Sequence, residues 1–510
     1  MRTDDLRPDT SASTLRWALG LAALLGACGG EPTAPPAAAP VAAPAPVTPD
    51  AGKPDVVLVI VDTLRADHLG VSGHSRPTSP AIDAVAAEGL RFSRAYAQSG
   101  WTLPSVASLL TGLRPSAHKI MRDGKVASRF GRRDPATPTL ACQLGDRGYR
   151  TAAFINNTFL APEFGLNAGF EVYDYQGAHN DRHRSAADTV AAALGWLEKQ
   201  AGPSFLVVHL MEPHLDYAPP APFAGAFTPG PRPPRLAYPA QPNPFSQLQT
   251  HAWEADPEER AYLSALYDEE VLTADAAVGA LVAGLKAQGR WDGAVFALTA
   301  DHGEELWDHG GFEHGHALWS ALTQVPLVLR GPGLSPGVVD TVVEHIDLSH
   351  TLLKMAGAPV PGALTGQDLR SVAADKPALR IALHENCIYG APCWSVHDGS
   401  YRLVARAAPQ GPNEPSPPPA LELWSMAPSG AEQAQLTGPE AAEHARRLAG
   451  YAVALRGDMN AVVDVPGAQL PDHEAFAMLQ SLGYVDAEAT PDAGVAGAPA
   501  PRASAACPGR

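Results

Sequence analysis

Val56-Val57-Leu58-Val59-Ile60-Val61-Asp62-Thr63 is the stretch that decides the fold. Six apolar residues in a row, with no polar alternation, describe a strand buried on both faces, as in a parallel-type sheet held between helical layers. Thr151 to Ile155, Phe205 to Leu210, Ala294 to Thr299 and Val325 to Leu329 read the same way. Between them lie segments with helical patterning: Pro80 to Glu88, Pro104 to Leu110, Ala186 to Gln200 and Arg260 to Gln288. The expected architecture is an α/β/α sandwich. Polar residues follow directly where three of these strands end: Asp62, then Asn156 and Asn157, then Asp301 and His302. Ligands of open α/β sheets bind beyond the carboxyl ends of strands, so three strands deliver candidate site residues to one edge.

Taken alone, an Asp at a strand end is more often a turn former or helix cap than a metal ligand, and Asp62 by itself leaves both open. Asp301-His302-Gly303-Glu304 is sharper, because a carboxylate and an imidazole side by side after a buried strand can face one cation; a capped turn is the alternative. In Ser99-Gly100-Trp101-Thr102-Leu103-Pro104-Ser105-Val106, a hydroxyl precedes a proline suited to a first helical turn, and Gly112 is suited to close the helix. Thr102 then stands at the positive end of a helix dipole, among N–H groups able to bind a tetrahedral anion, or serves only as an N-cap.

The ordered run of motifs resembles the sulfatase family of the alkaline-phosphatase superfamily. It comprises Asp62 with Leu64-Arg65-Ala66-Asp67-His68, Arg76-Pro77-Thr78-Ser79-Pro80, Ala87-Glu88-Gly89-Leu90, the Thr102 helix with Leu110-Thr111-Gly112, Glu212-Pro213-His214, Thr299 to Glu304, His314-Gly315-His316 and Val325-Pro326-Leu327. Asp347 opens a further similar segment, and Leu423-Trp424-Ser425-Met426 with Ser481 to Val485 is similar to the small C-terminal subdomain. The resemblance implies an alkaline-phosphatase-like fold with that subdomain, and covers about residues 54 to 486. It implies Asp62, Asp301 and His302 as ligands of a divalent cation (Ca, Mn, Mg or Zn), and His214 as proton donor to the leaving oxygen. His316 is a further catalytic candidate, to orient the substrate or stabilise the leaving oxygen, and Asn157 is the candidate contact to a substrate oxygen, with Asn156 competing for that role. A second metal held by His209, Glu212, His214 and His316 is the alternative use of those residues.

One departure matters. Sulfatases oxidise a cysteine or serine within Cys-x-Pro-x-Arg to formylglycine, whereas here the matching residues are Thr102-Leu103-Pro104-Ser105-Val106. Threonine cannot give that aldehyde, because its methyl group leads at best to a ketone, so no formylglycine is expected. Val106 also removes the arginine. Relatives in the superfamily that use an unmodified threonine act on phosphorus. The expected activity is therefore hydrolysis of phosphate, or sulfate, esters with Thr102 as nucleophile. The alternatives are a transferase of phosphoryl head groups acting on the cell envelope, and an inactive sulfatase-like binding module.

The bulk composition limits the partners. With 37 Lys plus Arg against 54 Asp plus Glu, the net charge of −17 repels polyanions and argues against nucleic acid. The expected substrate is a small-molecule or envelope ester. The five cysteines make no disulfide scaffold; Cys387 and Cys393 pair in an oxidising compartment or are unrelated core residues.

Arg2, Arg7 and Arg16 precede an apolar run, Trp17 to Ala27, too short to span a bilayer. Its end, Leu25-Gly26-Ala27-Cys28, resembles the lipobox of bacterial lipoproteins. That likeness implies a membrane anchor at Cys28 and, because Gly29 rather than Asp follows, the outer membrane of a Gram-negative bacterium. The expected organisation is a lipoprotein signal peptide over 1–28, a Pro/Ala-rich linker over 29–53, a catalytic domain over 54–375, a C-terminal subdomain over 376–486 and a disordered tail over 487–510.

Overall fold

Residues Val56–Val61 form a strand without a single exposed position. In the computed structural model the described residues are 52–122, 130–176, 184–236, 254–377, 379–389, 393–406, 420–456 and Cys507. The signal peptide and lipobox expected over 1–28, including Cys28, lie outside them, as do nearly all of the 29–53 linker and residues 457–486.

The strands are β1 (Val56–Val61), β2 (Leu90–Tyr96), β3 (Arg150–Ile155), β4 (Val172–Tyr175), β5 (Ser204–Leu210), β6 (Val295–Ala300), β7 (Glu305–Leu306), β8 (Phe312–Glu313), β9 (Gln324–Arg330), β10 (Gly337–Val339) and β11 (Val343–Glu344). Then follow β12 (Ala382–Glu385), β13 (Cys393–His397), β14 (Tyr401–Arg406), β15 (Ala420–Met426) and β16 (Glu432–Leu436). The main sheet has nine strands in the order β10-β2-β9-β6-β1-β5-β3-β4, with β11 also on β2. From β6 to β4 all pairings are parallel.

The fifth expected strand corrects the parallel reading, because β9 runs antiparallel to both β2 and β6. Its unbroken apolar run reports burial on two faces, which any central strand under helices requires whatever its direction. The strand β2 was not foreseen, because Arg91, Ser93 and Arg94 interrupt its apolar positions.

Register sets the site. Val61 lies opposite Ala300, so the next residues, Asp62 and Asp301, emerge side by side. On the other flank His209 lies opposite Ile60. Helices cover the sheet. Pro257–Ala287 starts three residues before its expected beginning, because Asp256 and Glu259 form a reciprocal capping box ahead of Pro257. Thr102–Thr111 starts two residues before its expected beginning, with Trp101 as N-cap and Thr102 as the first helical residue, so Thr102 is not itself the cap. Gly112 closes that helix at φ 71°, a conformation that costs glycine nothing, and its N–H reaches the Ser108 carbonyl.

Beyond the helix Leu369–Asp375, a separate five-stranded antiparallel sheet, β12 to β16 in chain order, makes the C-terminal subdomain. Helix Pro439–Arg456 packs on it through Ala441, Leu448 and Ala452 against Leu383, Val396 and Leu403. A buried ion pair, Arg114 with Glu344 at 2.6 and 2.7 Å, links the two parts, since Arg114 also approaches the Leu383 carbonyl of β12.

Two disulfides are present. Cys387 and Cys393 are bonded, which resolves the alternative left open by the sequence. Cys142 is bonded to Cys507, 365 residues away, a tether within the expected tail that the sequence reading did not contain. No helix among the described residues is long and apolar enough to cross a membrane.

Candidate active site

At the carboxyl edge of β1 the backbone turns through Thr63, whose φ of 55° is unusual for a branched residue and points its N–H at Asp301 Oδ1, 3.2 Å away. Asp62 is fully buried. Asp62, His209 and Asp301 each place a ligand atom within 4.8 Å of the others. His302 Nε2 joins them, 3.4 Å from Asp301 Oδ2 and 3.7 Å from Asp62 Oδ1. Its Nδ1 lies 2.9 Å from the Gly303 carbonyl, which only an Nδ1–H can satisfy, so the Nε2 lone pair faces the carboxylates.

Thr102 enters from the other side. Its Oγ1 lies 3.3 Å from His302 Nε2 and accepts from Asn157 Nδ2 at 3.3 Å. The same Asn157 amide donates to Asp62 Oδ2 at 2.7 Å. Ser105, one turn along the helix, donates its hydroxyl to the Asp301 backbone carbonyl and fixes the helix to the end of β6. Val106, where the family carries arginine, is buried in the hydrophobic core. Asn156 is turned away, donating to the Thr189 hydroxyl and the His209 carbonyl.

The electrostatics of the group are unbalanced. Burial works to raise the Asp62 carboxyl, yet His209, His214 and His302 outweigh it and hold Asp62 below its ordinary range. Burial, and then the Asp62 charge, push Asp301 well above its own. Asp62 Oδ1, Asp301 Oδ2 and both ring nitrogens of His209 are buried without a hydrogen-bond partner. Two adjacent buried carboxylates, with orphaned atoms converging from three side chains and the His302 Nε2 lone pair beside them, fit a divalent cation. The fit extends the expected ligand set of Asp62, Asp301 and His302 by His209. The second-metal set does not assemble: Glu212 accepts from the Ala186 N–H at 3.0 Å and His316 Nε2 sits 2.8 Å from Glu305 Oε2. Among the described residues the other close group is His68, His74 and Asp268, and there the Arg76 guanidinium already holds Asp268 at 2.6 Å.

Behind the carboxylates stands a row of imidazoles that sequence reasoning resolved only in part. His214 and His314 rings are 4.9 Å apart, and His314 and His302 4.6 Å apart. His314 Nδ1 pairs with Glu304 Oε1 at 2.9 Å, and Tyr217 donates to Glu304 Oε2. His314, not His316, is thus the histidine whose ring packs against His302. Gly315 between them has φ 82° and turns the chain, so which of the two faces inward cannot be read from His-Gly-His alone. Burial pulls His214 down to about 4, opposed by the Asp62 charge.

Comparison with known proteins places this geometry. Residues 54–358 match the model of the Sulfatase family. The chain belongs to the sulfatase family. An uncharacterized sulfatase, YidJ, of Escherichia coli K12 is 25% identical over 356 residues, covering 63% of this chain and 71% of that protein. Human arylsulfatase A is 26% identical over 350 residues, covering 62% and 67%. Among solved structures, the phosphonate monoester hydrolase of Agrobacterium radiobacter superposes with a TM-score of 0.63 at 20% identity, over 79% of this chain and 95% of the other. A 2-O GAG sulfatase superposes with a TM-score of 0.63 at 19% identity, over 80% and 93%. Those two likenesses are of fold: a mixed α/β sheet with an antiparallel C-terminal subdomain. This sulfatase-family hydrolase therefore carries Thr102 at the start of the helix that faces Asp62 and Asp301.

Proposed function

We propose that this sulfatase-family protein is a metal-dependent hydrolase of phosphate esters, with Thr102 as an unmodified nucleophile. The observation that carries the reading is the placement of Thr102 Oγ1, 3.3 Å from both His302 Nε2 and Asn157 Nδ2, at the first residue of a helix. The residues fit a divalent cation on Asp62, Asp301, His302 and His209, which would supply Lewis acidity and offset the charge that develops on the ester oxygens. The chain's own groups do the rest. Asn157 donates to Oγ1 and orients its lone pair, while the N–H groups of the first turn after Trp101 face an anionic ester. The Thr102 hydroxyl, which such a cation would make more acidic, gives up its proton to solvent, and its oxygen forms a bond to phosphorus as the ester P–O bond breaks.

His214 Nδ1 lies 2.6 Å from the Leu215 carbonyl and is held as a donor, so proton exchange with the leaving oxygen runs through Nε2. Its low pKa is a burial effect, and an anionic ester beside it opposes that effect. Water then attacks the phosphothreonine, with the same imidazole taking the proton. Phosphorus is preferred over sulfate because a sulfated threonine has no aldehyde hydrate through which to expel sulfate, whereas a phosphothreonine is open to attack by water.

The two disulfides support an oxidising compartment, in keeping with export and a cell-envelope site through a lipid on Cys28. The test of the activity is a panel of phosphodiester, phosphomonoester and sulfate-ester substrates, run on the metal-loaded protein and on Thr102→Ala. Phosphorus esters turned over only by the unsubstituted protein support the reading; strong sulfate-ester turnover overturns it.

A further inference from the structure

A cleft of ≈ 880 Å³ lies between the catalytic sheet and the C-terminal subdomain, walled by Arg65 and Asp308 on one side and by Glu422, Trp424 and Glu432 on the other, with Arg91 of β2 in its lining. Neither Thr102 nor Asp62, Asp301 or His302 lines it. We propose that this cleft binds a neutral oligosaccharide, separately from the catalytic group.

Three observations select that chemistry. First, the cleft holds a fixed aromatic surface. The half-buried Trp424 ring meets Trp319 at 5.6 Å and His309 at 5.2 Å, both nearly perpendicular, and Trp319 and His309 stack on each other at 4.1 Å. An indole locked in this way costs little entropy when a ligand covers it, and a sugar ring offers a flat C–H face to do so. Second, planar hydrogen-bonding groups surround the ring. Trp424 Nε1 donates to Glu422 Oε2 at 3.3 Å, leaving the rest of that carboxylate as an acceptor. The Arg91 guanidinium has no ion pair or hydrogen bond among the described residues and offers donors. A carboxylate and a guanidinium lining one cleft suit a polyol, each of whose hydroxyls both donates and accepts.

Third, the charges exclude other occupants. Arg65 is already gripped by Asp67 and Asp308 at 2.6–2.9 Å, and Glu432 by Arg402 at 3.1 Å. That leaves Glu422 and Arg91, which offset each other, so the cleft has no excess positive charge to hold a polyanion, and a wholly apolar ligand would leave both groups without solvent. Pockets at such junctions, concave and mixed in polarity, are common ligand sites.

The test uses the full chain, titrated calorimetrically with cellohexaose, maltohexaose, xylohexaose, mannohexaose and chitohexaose. At least one is expected to bind below about 1 mM, with Arg91→Ala and Glu422→Gln each weakening it about tenfold. Trp424→Ala should abolish it, but that ring also packs on Trp319, so the two polar variants decide if it unfolds. Turnover of a small ester should be unchanged in Arg91→Ala and Glu422→Gln. No binding by any of the five up to about 10 mM, or binding indifferent to both polar variants, overturns the proposal.

Discussion

The Thr102 hydroxyl lies 3.3 Å from Nε2 of His302, a residue 200 positions later in the chain. Neither residue is placed by its neighbours in sequence alone: one begins the helix after β2 and the other follows β6, and β9 pairs with both strands. Thr102→Ala should therefore lower turnover of a phosphodiester by about 10³-fold or more while leaving the thermal unfolding midpoint nearly unchanged. Thr102→Ser, which keeps the oxygen, should retain measurable turnover. Steady-state kinetics on the metal-loaded protein with both variants is the check.

Asp301 and Asp62 oppose each other in a buried site, with Asp301 pushed up by burial and by the Asp62 charge. Replacing Asp301 with Asn keeps the Oδ1 acceptor for the Thr63 and His302 N–H groups and removes the cost of burying a second ionisable carboxyl beside Asp62. In chelator, Asp301→Asn should melt about 2–4 °C higher than the unsubstituted protein. On adding Mn²⁺, Zn²⁺ or Ca²⁺ the order should reverse, because only the unsubstituted protein gains stability from binding. Differential scanning calorimetry with and without metal reads both.

His384 and His397 stack at 5.3 Å where the subdomain meets Tyr96, and burial followed by the Arg402 charge holds both well below their ordinary pKa. For a histidine so depressed, the unfolded chain binds more protons than the folded one below about pH 6.5, so stability present above that pH is lost as pH falls. Thermal denaturation from pH 7.5 to pH 5 should show a falling midpoint, and His397→Leu should flatten that slope.

Asn386, at φ 73°, accepts from Trp101 Nε1 and from the Arg122 N–H and donates to the Arg122 carbonyl, while its own carbonyl receives Ser99 Oγ. It therefore holds the segment leading into Thr102, and the Cys387–Cys393 bond follows it directly. Cys387→Ser with Cys393→Ser should cost about 2 kcal/mol of stability from the short loop. Asn386→Ala should lower kcat more than it changes KM, because the reacting oxygen loses its anchor while the cation ligands do not.

Much of this was legible in the sequence for a physical reason. Val56–Val61, Phe205 to Leu210 and Ala294 to Thr299 are buried on both faces, and an unbroken apolar run reports that directly. Asp62 and Asp301 stood out because each directly ends an apolar strand. What stayed hidden depended on direction and distance. The antiparallel sense of β9 leaves no mark on composition, and β2 mixes Arg91 and Arg94 into a strand whose one face meets the subdomain cleft. His209 sits inside an apolar strand and took its place beside Asp62 only once β1 and β5 were in register. The tether from Cys142 to Cys507 joins segments no local pattern connects.

The central claim is that the Thr102 oxygen becomes covalently bonded to phosphorus. With a nitrophenyl phosphate, whose leaving group needs no acid, His214→Ala should still form the adduct and should hydrolyse it slowly, since the same imidazole serves as base in the second step. Acid quenching during turnover, followed by mass spectrometry of the peptide that contains residue 102, should find a phosphoryl group on Thr102 that accumulates in His214→Ala. Turnover with Thr102 unmodified throughout and undiminished in Thr102→Ala would contradict the account.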